Sequence, residues 1–259
     1  MAWAIVSCLK TGRMATNEHA ASTPCLGLIG GLGVGATIHY YQKLVKAHAE
    51  SVKARAGREL RLRLLIVHAD VNLVLSHVKN GNIAELAEYL AGLVRQLQGG
   101  GADIAAVSAI TPHICISELI RLSPLPLVNL VAEVADEIRR RGLKRVALFG
   151  TRFVMETALF GQLAGVAEAI QPKPDEIDAI HETYLELVRD GAGSERQLQT
   201  LTRIAHTLRA RDGAEAIVFA GTELSLVFNE GNTDFPHIDC ANVHVEAIMR
   251  HLAPRWATL

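Results

Sequence analysis

Gly101-Ala102-Asp103-Ile104-Ala105-Ala106-Val107-Ser108-Ala109-Ile110-Thr111 returns, at a constant offset of 112 residues, as Gly213-Ala214-Glu215-Ala216-Ile217-Val218-Phe219-Ala220-Gly221-Thr222-Glu223. In both copies a glycine and an acid lead into a short apolar run that ends in small and polar residues. A looser correspondence sets Leu28-Ile29-Gly30-Gly31 beside Leu148-Phe149-Gly150-Thr151. Repeats of this length are domains rather than solenoid units, so the chain is expected to hold two similar halves. Ligands of open α/β sheets sit beyond the carboxyl ends of the strands; two such ends facing each other would enclose one cleft. The expected division is a tail at 1–24, a first domain of 25–127 plus 238–259, and a second domain of 128–237.

Outward from the repeat, short apolar runs alternate with longer stretches whose apolar residues recur at three and four. This alternation predicts strands and helices around parallel sheets, an α/β fold. Strands are expected at 26–30, 62–68, 104–108, 127–130, 146–150, 216–220 and 237–239, and helices at 36–49, 83–97, 131–140, 175–189, 195–211 and 243–252.

Composition narrows the function classes. The 259 residues are 49% hydrophobic, which excludes a disordered chain, a collagen-like one and a small disulfide scaffold. Basic residues number 26 against 27 acidic ones, and no basic run exceeds Arg139-Arg140-Arg141. Neither nucleic acid nor an anionic membrane surface is therefore an expected partner. No apolar run approaches the roughly 18 residues that span a bilayer. Cys8, Cys25, Cys115 and Cys240 lack any CxxC spacing, which argues against a zinc ribbon or disulfide framework and for a cytoplasmic protein. Residues 1–8 are apolar, but Lys10 and Arg13 follow them, the reverse of a secretory signal. A loose tail, or a start at Met14, is the expected reading.

Polar groups cluster at the strand ends. Gly30-Gly31-Leu32-Gly33-Val34-Gly35 closes the first strand and opens a helix. The spacing is not GxGxxG, and no acid ends the second strand to hold a ribose, so the glycines are read as admitting a small anion to backbone N–H groups, or equally as a tight turn that needs positive φ. Thr111-Pro112-His113 and Thr222-Glu223 follow the repeated strands. Their hydroxyls could hold a carboxylate, and His113 or Glu223 could move a proton; equally, the threonines could be helix caps and His113 a structural hydrogen-bonder. Thr151 and Arg152 could add a hydroxyl and a guanidinium to the same ligand; equally, Arg152 could be a solvated surface residue. His68 and Asp70 have no third ligand at metal-binding spacing, and no metal site is expected. Asp239 and His244 could position polar groups of the cleft, or be a cap and a core histidine. No GxSxG elbow, Walker A loop or HExxH helix occurs.

Taken in order, these residues resemble the aspartate/glutamate racemase superfamily, amino-acid racemases that work without pyridoxal phosphate. The resemblance is carried by Gly30-Gly31-x-Gly33 with Ala36-Thr37 and Tyr40-Tyr41, then Thr111-Pro112-His113, Gly150-Thr151-Arg152 with Met155-Glu156, Thr222-Glu223-Leu224, and Asp239 with His244. It implies two Rossmann-like α/β domains related by a pseudo-twofold axis, with the site between them, a homodimer and no cofactor. It also implies a cysteine at the end of each repeated strand, one thiolate taking the α-proton and the opposite thiol returning one. Ala109 and Gly221 stand at those positions, and neither a methyl group nor a hydrogen exchanges a proton. Ser108 and Ile110 also depart from the pattern, which has Pro and Asn there. Cys115 and Cys240 are read as structural. The expectation is an enzyme acting on a small carboxylate or amino-acid-like substrate by non-thiol chemistry of isomerase, lyase, decarboxylase or hydrolase type. Its catalytic residues would be Glu223 and His113, with Gly31, Thr111, Thr151, Arg152 and Thr222 holding substrate. The rival expectations are an inactive carboxylate-binding or regulatory paralogue and a racemase using another residue.

Overall fold

A computed structural model describes residues 23–54 and 61–257. Most of the expected tail, with Cys8, lies outside the described residues.

The first sheet contains β1 (Cys25–Gly30), β2 (Arg63–His68), β3 (Ile104–Val107) and β4 (Leu127–Val128), in the order β2-β1-β3-β4. The second contains β5 (Arg145–Gly150), β6 (Glu168–Ile170), β7 (Ala216–Ala220) and β8 (His237–Asp239), in the order β6-β5-β7-β8. Every pairing is parallel. The two orders are the same pattern used twice, as the repeat requires. Helices α1 (Val34–Ala54), α2 (Val71–Asn80), α3 (Ile83–Gly99), α4 (Ile116–Leu122), α5 (Leu130–Arg140), α6 (Arg152–Glu156), α7 (Pro174–Asp190), α8 (Glu195–Asp212) and α9 (Cys240–Ala257) flank the sheets.

The repeated acid has a structural task. Asp103 accepts a 2.7 Å bond from the Cys25 N–H and returns its own N–H to the Cys25 carbonyl at 2.8 Å. In the second half Glu215 accepts from the Arg145 N–H at 3.0 Å and donates to the Arg145 carbonyl at 2.8 Å. Each acid therefore ties the start of the central strand to the strand beside it and fixes the register that brings the strand ends level.

Packing follows the periodicity. On one face of the first sheet α3 buries Leu86, Leu90, Leu93, Val94 and Leu97; on the other lie Tyr40 and Leu44 of α1 with Ala241, Val245, Ile248 and Leu252 of α9. Full burial of each such large side chain contributes about 1.5 to 3 kcal/mol. In the second half, α5, α7 and α8 turn Leu130, Val134, Ile180, Leu187, Leu201 and Leu208 onto β5 and β7. β8 pairs with β7, so Ile238 and Asp239 belong to the second sheet; in α9, Cys240 and Val243 still pack in the second core, while Ala241, Val245 and Ile248 pack in the first.

Four elements lie outside the sequence expectation: β6, α2, α4 and α6. β6 is a three-residue edge strand, too short to show a period. α2 buries only Val74 of its apolar residues, so its pattern does not mark a core-facing stripe. Among the described residues, no helix is long and apolar enough to cross a membrane.

Candidate active site

A cavity of about 530 Å³ lies between the halves, where the carboxyl ends of β1, β3, β5 and β7 converge. Residues 31–35, 109–112, Thr151 and 222–223 enter it from the strand ends, and α2 and α7 close its sides. Gly31 and Gly33 take left-handed φ values of 81° and 122°, which turn the chain from β1 into α1. The first N–H groups of a helix lack intrahelical acceptors, so the start of α1 brings anion-binding donors to the cavity wall.

Glu223 is the buried acid of the cavity, 3% exposed. Tyr184 Oη donates to Glu223 Oε2 at 2.5 Å, and Thr222 Oγ1 donates to the same oxygen at 3.0 Å. Oε1 lies against Gly33, in space that a Cβ there would invade. The carboxyl group is thus held by its own half and shelved on the backbone of the other. Burial, followed by the Glu223 charge, raises the Tyr184 phenol well above its ordinary pKa, so the ring stays a protonated donor.

Tyr184 also accounts for Gly221. That residue has φ −155° and ψ 123°, extended backbone that any amino acid adopts. The Tyr184 ring nevertheless stands where its side chain would go: a Cβ would lie 2.9 Å from both Cδ2 and Cζ, and closer still to Cε2. Opposite, Ala109 faces the cavity with a methyl group. The sequence reading missed Tyr184, because it sits in the apolar stripe Ile177, Ile180, Tyr184 and Leu187 of α7. Its signal is a hydroxyl-bearing ring within a buried stripe.

The structure brings Glu223, Gly31, Thr111, Thr151 and Thr222 to the cavity. Thr151 also caps α6, accepting from the Val154 N–H at 3.3 Å. Two expected residues are not among those lining it. His113 turns back into the protein, where Nδ1–H donates to the Ala109 carbonyl at 2.8 Å and Nε2 has no partner among the described residues. Burial lowers its pKa to about 4. The reason is the 3₁₀ turn at Thr111–Cys115: with three residues per turn, Thr111 and His113 leave the axis in different directions. Arg152 is drawn to the surface by Glu156, at 3.2 Å, and by Asp178.

The remaining candidates are structural. Asp239 caps α9 through the N–H groups of Ala241, at 2.8 Å, and Asn242, at 3.1 Å. His244 is fully buried; Nε2–H donates to the Val128 carbonyl at 3.0 Å, which leaves Nδ1 to accept from Tyr40 Oη at 2.9 Å. Cys115 and Cys240 are buried outside the cavity lining. Burial pushes the Cys115 thiol up to about 12 and the Cys240 thiol well above its ordinary value. Asp70 caps α2.

With this geometry established, comparison decides the family. The Asp/Glu/hydantoin racemase family matches residues 29–248. The chain belongs to that family. Solved structures share the fold. A Yersinia pestis protein proposed to be an Asp/Glu racemase shares 26% identity and a TM-score of 0.76, over 89% of this chain and 99% of its own. An aspartate racemase homologue from Pyrococcus horikoshii shares 23% identity and a TM-score of 0.73, covering 88% and 99%. An aspartate racemase from Picrophilus torridus has the same fold at 17% identity and a TM-score of 0.71, covering 89% and 94%. Within this racemase family, the present chain places a methyl group and a glycine at the two strand ends that face the cavity.

Proposed function

We propose that the protein is an enzyme that binds a small carboxylic or amino acid between its halves and acts on it by non-thiol acid/base chemistry. The halves of the proposal are 25–127 with the C-terminal return, and 128–237 extended to the end of β8. The observation that carries the reading is the Glu223 carboxyl group, buried in the cavity and bonded through one oxygen to Tyr184 and Thr222. With Oε2 occupied by both donors, Oε1 is the oxygen available to take or give a proton. The start of α1 and the Thr111 and Thr151 hydroxyls would hold the substrate carboxylate. Isomerisation, decarboxylation and hydrolysis are each compatible with one well-placed carboxyl group and an anchored carboxylate.

A panel of small carboxylic and amino acids, followed by mass spectrometry for product, tests this reading. The expected result is turnover of at least one member that persists after thiol alkylation and falls by about a hundredfold or more in Glu223→Gln. No deuterium is expected at the α-carbon of aspartate or glutamate in heavy water. Ala109 and Gly221 favour a second reading, a carboxylate-binding protein without chemistry. Saturable calorimetric binding with no product from the panel would select it.

A further inference from the structure

Among the aliphatic side chains that line the cavity, six come from three helices around its mouth: Ile38 of α1, Val71, Val74 and Leu75 of α2, and Leu185 and Val188 of α7. Five are among the exposed large hydrophobic residues of the described chain, with Ile38 and Leu75 both 53% exposed. Scattered exposed aliphatics are ordinary, but a set gathered around one concave site from both halves marks a surface that is covered by a ligand. Ile110 extends this apolar wall to the end of β3.

Among the lining residues the ionic groups are Arg189, Asp190 and Glu223. Arg189 Nε donates to Asp190 Oδ1 at 2.9 Å, and the two side chains are 69% and 51% exposed, so this pair compensates itself at the rim. Glu223 is an acid and supplies no positive charge to receive an anion. A ligand with a second carboxylate would therefore bring a charge against the aliphatic wall with no cation reserved for it, where desolvation opposes binding.

We infer that the cleft selects monocarboxylic acids carrying a branched aliphatic or single-ring aromatic substituent, and discriminates against dicarboxylic acids. The inference rests on the reading of the cleft as a carboxylic-acid site and specifies what that site accepts. The α1 start holds the carboxylate, and the substituent lies along Ile38, Leu75, Leu185 and Val188. Aspartate and glutamate, two of the three compounds in the family's name, each carry two carboxylates and would be disfavoured.

Titration calorimetry on the full chain, with isovalerate and phenylacetate against succinate and glutarate, and leucine against glutamate, tests it. The apolar acids should bind at least about tenfold more tightly than the dicarboxylic ones. Ile38→Arg and Val188→Arg, both at exposed helix positions, should each raise succinate affinity and lower that of phenylacetate, by about tenfold. Equal or tighter wild-type binding of succinate or glutarate would overturn the inference and leave the carboxylate-site reading standing. If none of these acids binds at millimolar concentration, both fall together. Failure of both arginine variants to shift the preference, with folding confirmed by circular dichroism, would also overturn the assignment of the wall.

Discussion

Glu223, at the end of the second repeat, packs Oε1 against Gly33 of the opposite half, in the space that a Cβ would fill. This contact joins the strand ends that the repeat sets facing each other, and it makes the glycine a requirement of the acid. Gly33 also has φ 122°, a conformation that L side chains rarely adopt. Gly33→Ala is therefore expected to cost about 1 to 3 kcal/mol, as strained backbone does, and to weaken acid binding because Glu223 must move. Urea unfolding and calorimetric titration of the variant read the two effects. A variant with unchanged midpoint and affinity would mean the contact is slack.

Gly221 is small for a different reason. Its backbone is extended, so only the Tyr184 ring opposes a side chain. Gly221→Ala should cost about 1 to 3 kcal/mol by overpacking, and a Tyr184→Leu background should relieve it with a coupling above about 0.5 kcal/mol. Gly221→Cys alone should consequently fail to introduce deuterium at the α-carbon of aspartate, since the thiol would be placed against an aromatic ring. Additive costs in the double variant would show that the ring yields freely.

Tyr184 contributes through its hydroxyl as well as its bulk. Tyr184→Phe preserves the ring but leaves Glu223 Oε2 with Thr222 as its remaining donor. A stability loss of about 1 to 3 kcal/mol is expected for a lost buried bond to an acid. Turnover of any substrate found should fall by at least about tenfold. An unaltered pH profile of turnover would remove Tyr184 from the acid/base machinery.

That Glu223 and the threonines line the cavity was legible because the carboxyl ends of strands in parallel α/β sheets face a common crevice whatever the sequence between them. Arg152 lies two residues past such an end and His113 in the turn after another, yet nearness along the chain does not fix direction. A 3₁₀ turn carried one inward, and an acidic patch on α6 and α7 held the other outward. Tyr184 was hidden for the converse reason: it comes from the far end of α7, and only the tertiary fold places it over Gly221. Asp103 and Glu215 were legible as a repeat, but their shared task of tying β1 and β5 required the register.

The thiols should be unreactive in the native state. Cys25, Cys115 and Cys240 are all buried, and burial raises each pKa, to about 12 for Cys115. Since the thiolate is the nucleophile, iodoacetamide at pH 8 should leave these three unmodified by peptide mapping until denaturant is added. Rapid native labelling of Cys240 would place its sulfur within reach of the cleft.

Acid should weaken the fold before the carboxylates titrate. Burial lowers His113 to about 4 and His244 to about 3, from an ordinary value of 6.5. Between 6.5 and about 4 the unfolded chain holds these protons and the folded chain does not, so stability falls as pH falls through that window. Each unit of separation is worth about 1.4 kcal/mol. His39 and His181, whose values are also lowered by burial, act with the same sign. Unfolding at pH 5.5, followed by calorimetry in buffers of different ionisation enthalpy, should take up about two protons or more. His113→Asn should reduce that uptake by about one, because Asn can still donate to the Ala109 carbonyl but does not titrate. Unfolding without proton uptake at pH 5.5 would mean that water reaches both imidazoles in the native protein.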